Sequence, residues 1–192
     1  MREGSLADLH CRAQDLALSY IEGIADDQWQ AATPCSEWDV RALVNHLVAN
    51  NRWVVELSKG KTIAEVGDAL DGDMLGMDPI AAFRESAGAA CDAFAKSGAM
   101  TQTYQLSFGE APGSLYVSER FVDVLIHAWD VATATGQATA LSDELVGRCF
   151  DMIEPQRDAI RANDDFGPEV PIDDDAATQV RLLALLGRRS DA

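Results

Sequence analysis

The feature that most constrains the fold of this chain is a strongly apolar helical segment over residues 114–135, followed by Gly136. On a helical wheel its apolar side chains cover well over half of the circumference. Five of its other side chains, those of Tyr116, Arg120, Asp123, His127 and Asp130, fall on one narrow polar stripe. A surface helix normally presents a broad polar face to water. This pattern therefore predicts a mostly buried helix whose polar stripe faces the protein interior.

Helical periodicity elsewhere predicts an all-α fold in a single domain over residues 1–192. Further helices are expected over residues 6–24, from about 37, over 79–97, from about 143, and around 180–186. Ser36, with Asp39 three residues later, resembles a capping box and places the start of the second helix near Glu37. We expect one short helix within 58–78, a short strand within 100–108 and an acidic loop over 163–175.

The charge of the chain narrows its classes of partner. With 15 Lys and Arg against 32 Asp and Glu, its formal net charge is −17 at pH 7. Such a surface repels phosphate backbones and anionic lipids, so neither a nucleic acid nor a membrane is expected as a partner. The N-terminus lacks the apolar core of a secretory signal, and we expect a cytoplasmic protein.

The cysteines do not indicate a zinc site of their own. The sequence contains four of them, Cys11, Cys35, Cys91 and Cys149, and no two form a CxxC pair. In a cytoplasmic chain this scatter predicts reduced, mostly buried thiols.

The polar stripe contains a candidate pair of metal ligands. Asp123 and His127 are four residues apart, which stacks them on one helical face with Cβ atoms about 5–6 Å apart, a spacing that recurs in zinc sites. A third ligand must come from another helix. His46 lies on the shoulder of the apolar face of the second helix, with Asn50 one turn later to orient ligands. His10 has no acidic neighbour at a ligand-like spacing.

The residues alone do not distinguish a metal site from a metal-free arrangement of the same side chains. His46 could be a core-edge histidine that hydrogen-bonds a carbonyl or carboxylate. Asp123, His127 and Arg120 could form a buried ion network without metal. For Arg120 and Asp130, an ion pair with a structural role is favoured over a role in orienting ligands or substrate.

Three segments of the sequence resemble the mycothiol-dependent maleylpyruvate isomerase N-terminal domain family, part of the DinB-like superfamily of metalloenzymes. They are TPCSEWDVRALVNHL at 33–47, DVLIHAWDVATATG at 123–136, and FGPEVP at 166–171 followed by LLALLGR at 182–188. The resemblance implies an up-down-down-up four-helix bundle with a long crossover, and it also implies a homodimer.

The resemblance further implies a divalent metal, expected to be zinc, held by His46, Asp123 and His127. Nickel, iron and manganese also suit this donor set. A low-molecular-weight thiol such as mycothiol is the implied cofactor. The chain departs from the family at Asp123, where glutamate is usual. We also expect it to lack the separate C-terminal domain of the full isomerases.

Such a site supports three functional hypotheses. The first is a metal-dependent thiol transferase or isomerase whose open fourth position binds a thiolate or small-molecule substrate, or a hydrolase if that position activates water. The second is a metal- or small-ligand-binding protein without turnover. The third is a metal-free helical bundle that associates with itself.

Overall fold

The computed structural model describes residues 4–36, 38–162, 166–173 and 175–190, and these are predominantly helical. The elements in chain order are α1 (Leu6–Glu22), α2 (Val40–Ser58), α3 (Ile63–Val66), α4 (Pro79–Ala95), β1 (Thr103–Leu106), β2 (Gly109–Pro112), α5 (Gly113–Ala134), α6 (Asp143–Ile153), α7 (Arg157–Ala162) and α8 (Thr178–Leu185). A single 3-10 turn, Glu154–Gln156, joins α6 to α7. The predicted all-α class is confirmed, including the short helices and the short strand.

The chain divides into two compact units, one ending at Gln137 and the other beginning at Ala138. The first contains α1 to α5 and the two strands, and the second contains α6 to α8. The single-domain assignment stays a prediction.

The first unit is a four-helix bundle. In it, α1 and α2 each pack against both α4 and α5. The fully buried side chains at its centre include Leu9, Leu43, Leu47, Phe83, Phe121, Leu125 and Ile126. Helix α5 is buried over most of its surface, as its wide apolar arc predicts. Its polar stripe consequently lies against neighbouring helices.

Helix α2 begins later than the sequence pattern predicts. Its first residue is Val40, and the Asp39 carboxylate caps it by accepting a 2.8 Å hydrogen bond from the Ala42 backbone N–H. The predicted start near Glu37 with Ser36 as the cap is therefore wrong, and Glu37 itself lies outside the described residues. The error arose because Ser36 and Asp39 are both good capping residues, so the pattern does not distinguish them.

The predicted strand within residues 100–108 forms β1, but it has a partner that the sequence pattern missed. β1 pairs antiparallel with β2, from Thr103 opposite Pro112 to Leu106 opposite Gly109. The glycine and proline of this second segment are residues that usually break a strand. In a hairpin this short they occupy the ends of β2, where they do not interrupt the pairing.

Two of the cysteines also depart from prediction. Cys11 of α1 and Cys91 of α4 form a disulfide with their Cα atoms 5.5 Å apart, so the expectation of four reduced thiols is wrong for this pair. Cys35 and Cys149 are outside any disulfide. The two bonded residues are separated by 80 positions in sequence, and only the packing of α1 against α4 brings them together.

The second unit contains the two predicted helices and a third, α7, that the sequence pattern missed. Helix α6 begins at Asp143, as predicted, and the side chain of the preceding Ser142 makes no capping hydrogen bond. Residues 166–173 of the predicted acidic loop have no regular secondary structure, and its residues 163–165 and 174 lie outside the described part of the chain. No helix within the described ranges is long and apolar enough to cross a membrane.

Replacement of Gly113 by alanine tests how tightly the start of α5 is fixed. A Cβ atom there would lie 1.8 Å from the Ala99 carbonyl oxygen, so the backbone must move apart. We expect Gly113→Ala to lower the free energy of unfolding by about 1–3 kcal/mol in a urea titration. The control is Gly88→Ala, at an exposed interior position of α4 with no atom within 4 Å of the added carbon. It should raise the stability by about 0.4–1 kcal/mol, and equal effects of the two changes would contradict the prediction.

Candidate metal centre

The three side chains predicted as metal ligands come together where α2 faces α5. The Asp123 Oδ1 atom lies 3.3 Å from Nε2 of His46 and 3.5 Å from Nε2 of His127. All three donor atoms lie within 4.8 Å of one another. The His46 side chain is 28% exposed, so it points into the cluster while one side stays open to solvent.

The spacing of these atoms fits a coordination shell better than direct ion pairing. Hydrogen bonds between charged groups usually have lengths of about 2.7–2.9 Å. Two ligand atoms bound to one tetrahedral zinc at about 2.0–2.1 Å lie about 3.3–3.4 Å from each other. The two distances to Asp123 are close to that second value. The residues present therefore fit a small divalent cation.

His127 is oriented by a buried carboxylate. Its Nδ1 donates a 2.9 Å hydrogen bond to Oδ2 of Asp130, which is completely buried. This bond assigns the ring proton to Nδ1 and directs Nε2 toward Asp123 and His46. Carboxylates commonly hold metal-binding histidines in this way. The sequence favoured a structural ion pair for Asp130 over a role in orienting ligands, but its ion-pair partner is itself one of the predicted ligands, so the two roles coincide.

The electrostatics of the cluster favour positive charge. Burial lowers the pKa of His127, but hydrogen bonds to Asp130 and Cys35 and the charge of Asp123 raise it to about 10. Burial would raise the pKa of Asp123, yet the Arg120 guanidinium and the two histidines hold it well below its ordinary value. Asp123 is thus ionised, and the centre attracts a proton or a metal cation.

Arg120 lies beside the cluster on the preceding turn of α5. Its Nη1 is 3.4 Å from Oδ2 of Asp123, the oxygen that does not face His127. Its Nε is buried and has no hydrogen-bond partner among the described residues. The guanidinium therefore partly neutralises Asp123 while leaving Oδ1 to the histidines.

Asn50 contacts two of the candidate ligands, as its position one turn after His46 predicts. Its amide nitrogen lies 2.9 Å from Nε2 of His46 and 3.4 Å from Oδ2 of Asp123. The amide N–H and a metal ion would use the same lone pair on His46. Metal binding at this nitrogen therefore requires the Asn50 side chain to rotate.

The loop before α2 contributes two side chains whose roles the sequence did not reveal. The Trp38 ring lies 4.4 Å from that of His46 and 5.7 Å from that of His127, between ring centroids, so it forms an aromatic wall. Cys35 donates a 3.3 Å hydrogen bond to Oδ2 of Asp130, and its sulfur is 3.8 Å from Nδ1 of His127. A resemblance to a metal-site family could have drawn attention to this loop, but the spacing of its residues could not.

Cys35, His127 and Asp130 form a second group of potential ligands that shares His127 with the first. In this group His127 would bind through Nδ1, which already donates to Asp130. In the first group His127 would bind through Nε2, which faces Oδ1 of Asp123 and lies near the ring nitrogen of His46. The His46, Asp123 and His127 set is therefore the better candidate centre.

A helical bundle that gathers two histidines and an aspartate between two of its helices agrees with the DinB-like class of protein. The chain belongs to the mycothiol maleylpyruvate isomerase N-terminal domain family, whose sequence profile matches residues 12–132. This match confirms the resemblance seen in the sequence, includes all three candidate ligands and indicates a mycothiol-related function.

Similar proteins occur in Mycobacterium tuberculosis. One uncharacterised protein from strain CDC 1551 and one from strain H37Rv are each 39% identical to this chain over 137 residues. Each alignment covers 71% of this chain and 70% of the relative. No solved structure gives a significant match.

Replacing Asp130 with asparagine tests its control of His127. The amide keeps the shape of the side chain but loses the charge that makes His127 a strong ligand, so zinc affinity should fall about 10- to 100-fold in a competition titration. Asp92→Asn, at an exposed position on α4, is the matched control and should leave the affinity unchanged. An unchanged affinity in the Asp130 variant would mean that this carboxylate only stabilises the fold.

Proposed function

We propose that this protein binds one divalent metal ion, with a preference for zinc, through His46, Asp123 and His127, and uses it in thiol-dependent transfer or isomerisation. The observation that carries the proposal is that Oδ1 of Asp123 lies at ligand-like separations from Nε2 of both histidines, with all three donor atoms within 4.8 Å of one another. Family membership supports the thiol, because the family is named for a mycothiol-dependent isomerase.

The donor set favours zinc without requiring it. Two imidazoles and one carboxylate form a common set of protein ligands in catalytic zinc sites, where a fourth position stays open. The same set also binds nickel, iron or manganese. The tetrahedral spacing is the reason to place zinc first. Because aspartate is shorter than the usual glutamate, the metal must lie close to the α5 backbone.

Bound zinc would hold a substrate thiol as its thiolate at neutral pH. The residues of the chain perform the remaining tasks. Asp130 keeps His127 in one tautomer, and Arg120 balances the negative charge of Asp123. Trp38 shields one side of the two imidazoles from water, and the exposed edge of His46 leaves an approach from solvent.

A second candidate function is metal or small-ligand binding without turnover. In a third, metal-free alternative, Arg120 and the histidines satisfy the charge of Asp123 without a cation. The contact of the Asn50 amide with Nε2 of His46 favours this alternative, because a metal ion at that nitrogen would have to displace an existing hydrogen bond. In that case the bundle would serve self-association, and the homodimer remains a prediction from the resemblance.

Metal analysis separates the metal-free alternative from the other two. Protein purified without a metal-affinity tag should contain about one zinc per chain by inductively coupled plasma mass spectrometry. His127→Ala should lose most of this metal because it removes the ligand that Asp130 orients. Asp92→Asn provides the control and should retain the wild-type content. If His127→Ala retains its full metal content, the proposed ligand set is wrong.

A thiol screen separates catalysis from binding alone. We expect a low-molecular-weight thiol such as mycothiol to react with small electrophilic acceptors faster in the presence of the zinc-loaded protein than of His127→Ala. The rate of thiol consumption is the measurement, repeated with nickel and manganese. Cys35→Ser is included because that thiol lies beside the centre and could react on its own. Thiol binding without acceleration would support the second candidate function instead.

A further inference from the structure

A separate group of potential ligands lies where α1 packs against α4. It consists of His10 and Cys11 from α1 and Cys91 from α4, and their ligand atoms lie within 4.8 Å of one another. His10 is completely buried, whereas both cysteines are partly exposed. None of these residues belongs to the centre formed by His46, Asp123 and His127.

We propose that reduction of the Cys11–Cys91 disulfide creates a second metal site, in which the two cysteine sulfurs and Nδ1 of His10 bind a zinc ion. A dithiol would supply the two electrons. The S–S bond breaks, each cysteine sulfur gains one electron and one proton, and the dithiol is oxidised to its own disulfide. Zinc then replaces the two thiol protons, which pass to solvent.

The backbone of the bundle would keep the two sulfurs together after the bond is broken. The Cα atoms of Cys11 and Cys91 are 5.5 Å apart on two helices that pack along each other. Because both cysteines lie within these helices, loss of the S–S bond leaves the positions of their Cα atoms supported by the core. Two thiolates and an imidazole form a donor set that binds zinc in preference to harder cations.

His10 is already oriented for this role. Its Nδ1 lies 4.0 Å from the Cys91 sulfur, while its Nε2 faces the Gln14 side-chain amide at 3.1 Å. The Phe94 ring packs edge-on against the imidazole with centroids 5.1 Å apart. The ring therefore has little freedom to turn away from the sulfurs.

The polar neighbours of His10 can accommodate the tautomer that metal binding needs. Coordination through Nδ1 places the ring proton on Nε2, which then requires an acceptor. Gln14 meets this requirement if its amide rotates to present oxygen in place of nitrogen. Asn51 hydrogen-bonds Gln14 with both ends of its own amide, so it can donate to that oxygen after a matching rotation.

Cobalt titration of the full chain tests this site, since sulfur ligands give cobalt a charge-transfer absorption in the near ultraviolet. Protein with the disulfide intact is compared with protein reduced by a phosphine and desalted without oxygen. The reduced chain should bind about one further equivalent of cobalt and gain this absorption. Cys35 and Cys149 are outside any disulfide, so their contribution cancels in the comparison.

Variants distinguish this proposal from the proposed function. In reduced Cys91→Ser the further equivalent should disappear while the first remains. In reduced His127→Ala the first should be lost while the sulfur-bound equivalent remains. The site is refuted if the reduced wild-type chain binds no additional cobalt, or if Cys91→Ser still does.

Thiol protection gives a second measurement that needs no substitution. Zinc added to the reduced wild-type chain should slow alkylation of Cys11 and Cys91 by iodoacetamide, as counted by mass spectrometry of the peptides. Equal alkylation of these two cysteines with and without zinc would overturn the proposal, even if Cys91→Ser fails to fold.

Discussion

The ionised carboxylate of Asp123, enclosed between α2 and α5, is the charge around which the bundle is organised. Taking a carboxylate out of water costs several kcal/mol, roughly, unless other groups compensate for it. Two imidazoles, a guanidinium and an amide supply this compensation, and they come from both helices. The polar stripe of α5 can face inward because each of its charges has a partner there. The apolar arc of the helix then packs against the rest of the bundle.

His127 links this charge to the interior. One ring nitrogen faces Asp123, and the other donates to the fully buried Asp130. The imidazole is therefore held at both ends by acidic groups on its own helix, Asp123 one turn before it and Asp130 one turn after it. His46 is held less firmly, because Asn50 and Trp38 contact it from one side and solvent reaches it from the other. The candidate centre thus combines one tightly held histidine with one that is partly open to solvent.

The sequence predicted what depends on local periodicity. The apolar arc of α5 predicted its burial, and the spacing of Asp123 and His127 predicted that they share one face. The sequence alone could not predict the contacts that tertiary packing creates. The Cys11–Cys91 disulfide joins residues 80 positions apart, and His10 gained sulfur neighbours for the same reason. Where two residues offered the same local chemistry, as Ser36 and Asp39 did, the pattern chose the wrong helix cap.

The residues that lead into α2 contact two different parts of the structure around the candidate centre. Asp39 fixes the first turn of the helix that carries His46, while Cys35 touches the carboxylate behind His127. The Thr33 hydroxyl also donates a 2.7 Å hydrogen bond to the Trp38 carbonyl. An insertion or deletion in this segment would change the position of Trp38 and Cys35 relative to the start of α2. The length of this segment is therefore more tightly constrained than its side chains.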